Sequence, residues 1–231
     1  MEKVIVTQKY EDVVGKEKAE KFDAFRALLL EYNEKYNLTA ILEERDIFYK
    51  HFVDSLLGES LFKNNARVAE VGSGAGFPSI PLKLLRDDLR LDLFESVGKK
   101  CDFLSVVVDK LNLQGVRIYN MRAEDAARDA KFREKYDHAT ARAVARMNTL
   151  CEYCMPFVKV GGSFIAYKSS EKEELYEAKN ACKILGGKLT DIYTASLPFE
   201  YGNRTVAVVE KHAPTPPKYP RGQGKERKNP L

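Results

Sequence analysis

Three glycines separated by single residues, Gly72-Ser73-Gly74-Ala75-Gly76, stand between a short apolar run that carries a carboxylate, Arg67-Val68-Ala69-Glu70-Val71, and Phe77-Pro78, which suits the opening of a helix. A strand that turns this tightly into a helix presents unpaired backbone N–H groups at the carboxyl edge of a parallel sheet. Nucleotide-like ligands sit there in open α/β folds. The spacing selects among them. A dinucleotide fingerprint, G-x-G-x-x-G/A, needs a small third residue where this chain has Phe77, which argues against NAD. No Gly-Lys-Ser/Thr follows to hold phosphate and magnesium, so a P-loop is excluded. A tight turn with no ligand is the alternative.

An acidic residue followed by G-x-G-x-G at the end of a first strand looks like motif I of the class I S-adenosylmethionine-dependent methyltransferases. Such a sheet must then supply an acidic partner for ribose hydroxyls and a polar slot for adenine. Glu95 ends the second apolar run about twenty residues past the glycines and is placed for the ribose, unless it is a strand-end charge in solvent. Arg122-Ala123-Glu124-Asp125 follows the third run and either brackets the adenine or simply opens a helix. Thr140-Ala141-Arg142-Ala143-Val144 closes the fourth, where an acceptor enters. That loop has no Asn/Asp-Pro-Pro-Tyr for exocyclic amines and no cysteine for a covalent adduct to a pyrimidine. It offers Arg142, a planar cation able to hydrogen-bond or stack on a base, or else a buried arginine paired with an acid. This set permits an acceptor nitrogen with a free lone pair. Guanine N7 is one, needing orientation and electrostatic support but no general base.

Strand and helix signals alternate from Arg67 onward, which predicts a parallel sheet covered on both faces. Strands are expected at Val68 to Val71, Leu91 to Phe94, Val116 to Tyr119, His138 to Val144, Ser163 to Tyr167, Leu189 to Ala195 and Thr205 to Glu210, the last two antiparallel. Helices are expected over Ile80 to Leu85, Lys99 to Leu111, Leu150 to Phe157 and Glu171 to Leu185. Two amphipathic helices precede the sheet, Lys16 to Tyr36 and one N-capped by Asp46 that carries His51, Phe52 and Leu56. The fold class is therefore α/β, a seven-stranded Rossmann-like sheet with an N-terminal helical cap. The chain divides into cap (1–64), methyltransferase domain (65–212) and basic tail (213–231) on one structural domain.

At 231 residues the chain builds one substantial core, and no apolar run approaches a membrane span. Met1-Glu-Lys-Val is neither a signal nor a transit peptide, which with four cysteines in apolar segments predicts a cytoplasmic protein with reduced thiols. Cys151-x-x-Cys154 lacks the second pair a zinc site needs, so no metal is expected and core cysteines one helical turn apart are the reading. In the tail Lys218, Arg221, Lys225, Arg227 and Lys228 face only Glu226, so this stretch carries the whole net charge of +4. That suggests an anionic partner, against a merely solubilising end.

Taken together, Tyr36-Asn37-Leu38-Thr39, His51-Phe52-Val53-Asp54-Ser55-Leu56, Val71 to Pro78, Arg122-Ala123-Glu124, Ala141 to Val144, Tyr219-Pro220-Arg221 and Lys228 to Leu231 resemble, in order and spacing, the RsmG (GidB) methyltransferases. The resemblance implies transfer of methyl from S-adenosylmethionine, releasing S-adenosylhomocysteine, to N7 of a guanine in the 530 loop of 16S ribosomal RNA. It implies cofactor contacts at Gly72, Phe77, Ala123, Glu124 and Arg142, to which the reading of the turn adds Gly74 and Glu95. Arg142 would also position the base. His51, otherwise a satisfied core histidine, becomes a wall of the acceptor opening. The five tail cations would contact phosphates, with a salt slope of about −0.7 each. Removing the residues after Ala213 is then expected to weaken RNA binding and leave cofactor binding intact. The implied partner is 16S ribosomal RNA or the small ribosomal subunit, and the protein is expected to be a monomer. Ser79 stands where the family has glycine, and Glu70 where it has aspartate. Methylation of another substrate, or a non-catalytic assembly factor on the same fold, are the other readings.

Overall fold

Apolar strands without polar alternation need cover on both faces, and the computed structural model of the chain provides it with helices on each side of one sheet. It describes residues 2–169 and 172–231; Met1, Ser170 and Glu171, the last the expected start of a helix, lie outside the described residues. The strands are β1 (Glu2–Val4), β2 (Arg67–Val71), β3 (Arg90–Glu95), β4 (Val116–Asn120), β5 (Tyr136–Arg142), β6 (Val158–Ser169), β7 (Gly187–Ser196) and β8 (Asn203–Lys211). Their order is β1-β7-β8-β6-β5-β2-β3-β4, parallel except for β8, which runs antiparallel to both neighbours. The seven expected strands are present. The eighth is β1, which adds to the β7 edge with Lys3 opposite Tyr193. Three residues are too few to display a period.

Four helices, α1 (Gln8–Asp12), α2 (Ala19–Tyr36), α3 (Glu44–Ile47) and α4 (Asp54–Leu56), make the cap. The others connect strands: α5 (Ser79–Leu85), α6 (Gly98–Lys110), α7 (Ala123–Ala126), α8 (Met147–Cys154), α9 (Lys172–Glu177) and α10 (Lys179–Ile184), with α11 (Lys225–Lys228) in the tail. The helix expected to end at Leu185 is two helices, α9 and α10. Phe22, Phe25, Phe52 and Val53 of the cap lie in one apolar core with Leu91 and Leu93 of β3 and Phe103 of α6. Cys151 and Cys154 are buried on α8, and the Cys151 and Cys182 sulfurs are 3.5 Å apart as free thiols.

Asp46 is not the N-cap. Glu43 holds that place, and Asp46 sits inside α3, where its carboxylate accepts from Lys50 Nζ at 2.6 Å and from the Tyr201 hydroxyl. A side chain so engaged across the fold has no reason to bend back to its own helix. Between α3 and α4 the helix widens into a π-helical stretch, Phe48–Val53, a distortion that recurs at functional sites.

The tail is folded. Tyr219 and Glu226 are buried, the Arg133 guanidinium donates to the carbonyls of Tyr219 and Thr215 at 2.8 Å each, and buried Lys211 donates to Thr215 Oγ1 at 2.6 Å. Basic composition reports charge and is silent on these backbone contacts.

The chain leaves β2 for β3 and β4 on one side and returns to β5 on the other, with Glu70 paired in register with Thr140. The strand order reverses between β2 and β5, and open α/β sheets bind ligands in the crevice at that point. The glycine turn and Arg142 are neighbours for this reason.

Candidate active site at the reversal of strand order

Two cavities flank the end of β5. The larger, about 740 Å³, is lined from β2, β3 and their loops by Gly72, Phe94 and Ser96, from the β4 end by Met121, Ala123 and Glu124, and from α8 by Tyr153. Val144 also lines it, and the smaller, about 400 Å³, is lined by Lys50, His51, Asp54, Arg142, Tyr167 and Arg204. Ala143 turns the chain between them with a left-handed φ of 57°, a conformation rare outside glycine that sends Arg142 and Val144 to different cavities. Gly72 has φ of 69°, and a β-carbon there would stand 2.7 Å from Val144 Cγ2. No other residue lets the turn pass so close to the β5 loop.

Gly74 does not line the larger cavity. Its N–H donates to Glu95 Oε2 at 2.9 Å, while Val97 N–H donates to Oε1 at 2.8 Å. Glu95, nearly buried, thus braces the glycine turn from behind. Beneath the turn, Glu70 and the hydroxyls of Ser73 and Ser79 are buried close together, and no well-formed hydrogen bond reaches either carboxylate oxygen or either hydroxyl. Burial pushes Glu70 up to about 8, opposed first by nearby Ser79. Glu70 and Ser79, the two positions expected to differ from the resembled pattern, therefore lie at one spot.

Arg142 is held by three partners. One terminal nitrogen donates to Asp54 Oδ2 at 2.8 Å and to the Lys50 carbonyl at 3.2 Å; the other donates to His51 Nδ1 at 3.1 Å. Because a guanidinium only donates, His51 Nδ1 must accept, which places the ring proton on Nε2, 2.9 Å from Thr39 Oγ1. Burial, then the Arg142 charge, lower His51 to about 3, so the ring is neutral. Thr39 reaches it because α2 stops at Asn37, whose left-handed φ of 50° reverses the chain, and because Asn33 Oδ1 accepts from Thr39 N–H at 2.8 Å. Phe77 lies under both groups, its ring 4.3 Å from that of His51 and 4.9 Å from the Arg142 guanidinium carbon. Asp54 is buried and also meets Arg204 Nε at 3.4 Å. Burial pushes its carboxyl up while Arg142 and Arg204 pull it back.

Gly72, Ala123 and Glu124 thus gather at the larger cavity, and His51 and Arg142 at the smaller; Phe77 supports the latter pair, and Gly74 and Glu95 stand behind the turn. Of the tail cations, Lys218, Lys225, Arg227 and Lys228 are exposed. Arg221 instead grips the fully buried Glu152, with Nε 2.9 Å from Oε1 and a terminal nitrogen 2.7 Å from Oε2. Gln223, Gly224 and Arg227 line the larger cavity, so the tail forms part of its wall. Arg204 and Gln223 carry no local motif in the sequence. They reach the site only through the β7–β8 hairpin and the return of the tail across α8.

A family model described as rRNA small subunit methyltransferase G matches residues 18–200. The Ribosomal RNA small subunit methyltransferase G of Acetivibrio thermocellus is 46% identical over 216 residues, covering 93% of this chain and 89% of that one. That of Clostridium beijerinckii is 42% identical over 233 residues, covering 98% of each. Among solved structures, M. jannaschii TYW2 in complex with AdoMet superposes with a TM-score of 0.56 at 16% identity, over 74% of this chain and 79% of that one. A SAM-dependent O-methyltransferase from Thermotoga maritima gives 0.56 at 13%, over 80% and 72%. The fold is thus that of the class I methyltransferases, with one strand more than expected, and the chain belongs to the rRNA small subunit methyltransferase G family.

Proposed function

We propose that this chain transfers the methyl group of S-adenosylmethionine to N7 of a guanine in the 530 loop of 16S ribosomal RNA, releasing S-adenosylhomocysteine, in the cytoplasm and on the small subunit or its RNA. The larger cavity fits such a cofactor. Its volume lies within the ~300–1,000 Å³ typical of small-ligand sites, Gly72 keeps its floor bare, and the buried polar atoms of Glu70, Ser73 and Ser79 lie under the adjoining turn. Gly72, Ala123 and Glu124 would hold it, with Phe77 and Arg142 on the acceptor side and Gly74 and Glu95 fixing the turn. When bound, it supplies an electrophilic methyl group.

What favours N7 is that the side chains in the acceptor cavity are already committed. The acceptor nitrogen of His51 is filled by Arg142, and the two Asp54 oxygens face Arg142 and Arg204. The Tyr167 hydroxyl donates to the Ser55 carbonyl, and burial drives its pKa well up. Lys50 and Lys168 are ion-paired with Asp46 and Glu174. An acceptor that had to lose a proton would find no free base, whereas guanine N7 has a lone pair ready. The chain's task is orientation: Arg142 and Arg204 can meet the neighbouring O6, and the exposed Lys218, Lys225, Arg227 and Lys228 can meet phosphates.

Labelled methyl transfer to small subunits lacking the modification, followed by cleavage at 7-methylguanosine, tests this reading. A single cut in the 530 loop is expected, with Arg142→Ala lowering the rate at least about a hundred-fold through lost positioning. Label at another nucleotide overturns the substrate, and absence of transfer to subunits and naked RNA alike overturns the activity.

A further inference from the structure

The tip of the β7–β8 hairpin sits beside the acceptor cavity and is built against the usual rules for such turns. Pro198 to Tyr201 form a reverse turn, closed by Tyr201 N–H donating to the Pro198 carbonyl at 3.2 Å, with positive φ at both central residues, 55° at Phe199 and 57° at Glu200. Turns of this kind ask for Asn-Gly. Here a phenylalanine takes the first place and is 56% exposed. Its ring lies 5.3 Å from Tyr49 of the cap and 6.0 Å from Tyr201, and the two tyrosines are 6.1 Å apart.

Cations surround these rings. The Arg45 guanidinium carbon is 5.0 Å from the Phe199 ring, and Lys50 Nζ is 4.3 Å from the Tyr201 ring. Among the described residues Arg45 makes no ion pair; its Nε donates to the Tyr201 hydroxyl at 3.2 Å. Arg204 joins the tip to the acceptor cavity, donating to the Tyr201 carbonyl at 3.1 Å while its Nε faces Asp54, the partner of Arg142.

We infer that Tyr49, Phe199 and Tyr201, with Arg45, form a stacking platform for an unpaired nucleotide of the RNA strand whose target base enters the adjacent cavity. The inference rests on the RNA-methyltransferase reading above. An exposed flat ring takes the face of a base, and a cation beside it takes the attached phosphate; single-stranded RNA is bound by this combination. A protein partner needs roughly 800 Å² of complementary surface on each side, and three rings with only Phe199 exposed and a cation beside it do not offer it.

The test compares wild type with Phe199→Leu, which keeps apolar bulk but loses the π face, Phe199→Tyr, which keeps it, and Arg45→Gln. The readouts are binding of a labelled single-stranded RNA oligomer by anisotropy, and KM and kcat for methyl transfer to naked small-subunit RNA and to assembled small subunits. Phe199→Leu should weaken oligomer binding and raise KM for RNA by about ten-fold, with kcat and the KM for the methyl donor unchanged. Phe199→Tyr should behave as wild type, and Arg45→Gln should flatten the salt slope of binding by about 0.7. Oligomer binding unaffected by Phe199→Leu overturns the platform, as does a defect confined to assembled subunits, which would place a ribosomal protein there. Wild type that binds the oligomer but transfers no methyl overturns the methyltransferase reading and leaves the platform standing.

Discussion

Arg221 and Arg142 both read as RNA-facing cations in the sequence, and their surroundings separate them. The Arg221 fork is bidentate on a carboxylate with no solvent contact, so its loss strands a buried charge. Arg221→Ala should therefore cost about 3 kcal/mol or more and lower the thermal midpoint by several degrees, with Arg221→Lys recovering only part because an ammonium cannot span both oxygens. A calorimetric midpoint equal to wild type would refute this assignment, and a weakened RNA complex at unchanged stability would return Arg221 to the phosphate contacts. For Arg142, type and position were legible. Its hold on the His51 tautomer was not, because the contact joins residues 91 apart in the chain, which spacing gives no reason to connect.

At the scale of elements, the glycine turn, its flanking strand and the alternation that follows were readable because each has its own period or spacing. Boundaries moved where tertiary contacts outweighed local preference: β5 stops at Arg142 because Ala143 turns left-handed, and α3 starts ahead of Asp46 because Tyr201 and Lys50 engage that carboxylate. The tail changed most, since Gln223, Gly224 and Arg227 wall the larger cavity. Truncation after Gly222 should raise the dissociation constant for S-adenosylhomocysteine several-fold by titration calorimetry while keeping the Arg221–Glu152 clamp. Unchanged affinity would show that this wall contributes nothing to the cofactor.

For the whole molecule, buried ionisable groups set how stability follows pH. His51 and His138 are lowered to about 3 and about 4 by burial, from 6.5, so the unfolded chain binds more protons and stability is lost as pH falls below about 6.5. Glu70 is raised from 4.5 to about 8, so the folded chain binds the extra proton and stability is lost as pH rises toward 8. Asp54, also raised, acts in the same sense as Glu70. Below 6.5 the histidines oppose Glu70 and Asp54, whereas between 6.5 and 8 the histidines no longer titrate and, of the two histidines and Glu70, only Glu70 draws stability down. Glu70→Gln should flatten the decline of the melting temperature between pH 6.5 and 8 and leave the acid limb in place; an alkaline limb identical to wild type would refute the assignment.

The wall contributed by Gln223, Gly224 and Arg227 also bears on vectorial synthesis. The glycine turn emerges early, yet β8 must first slot between β6 and β7, and the residues that close the larger cavity follow β8. Contacts this distant in sequence form late, after their loop-closure entropy is met. A nascent chain halted before α11 therefore carries the recognisable motif without the finished cavity. The protein remains without its complete cavity through most of its own translation.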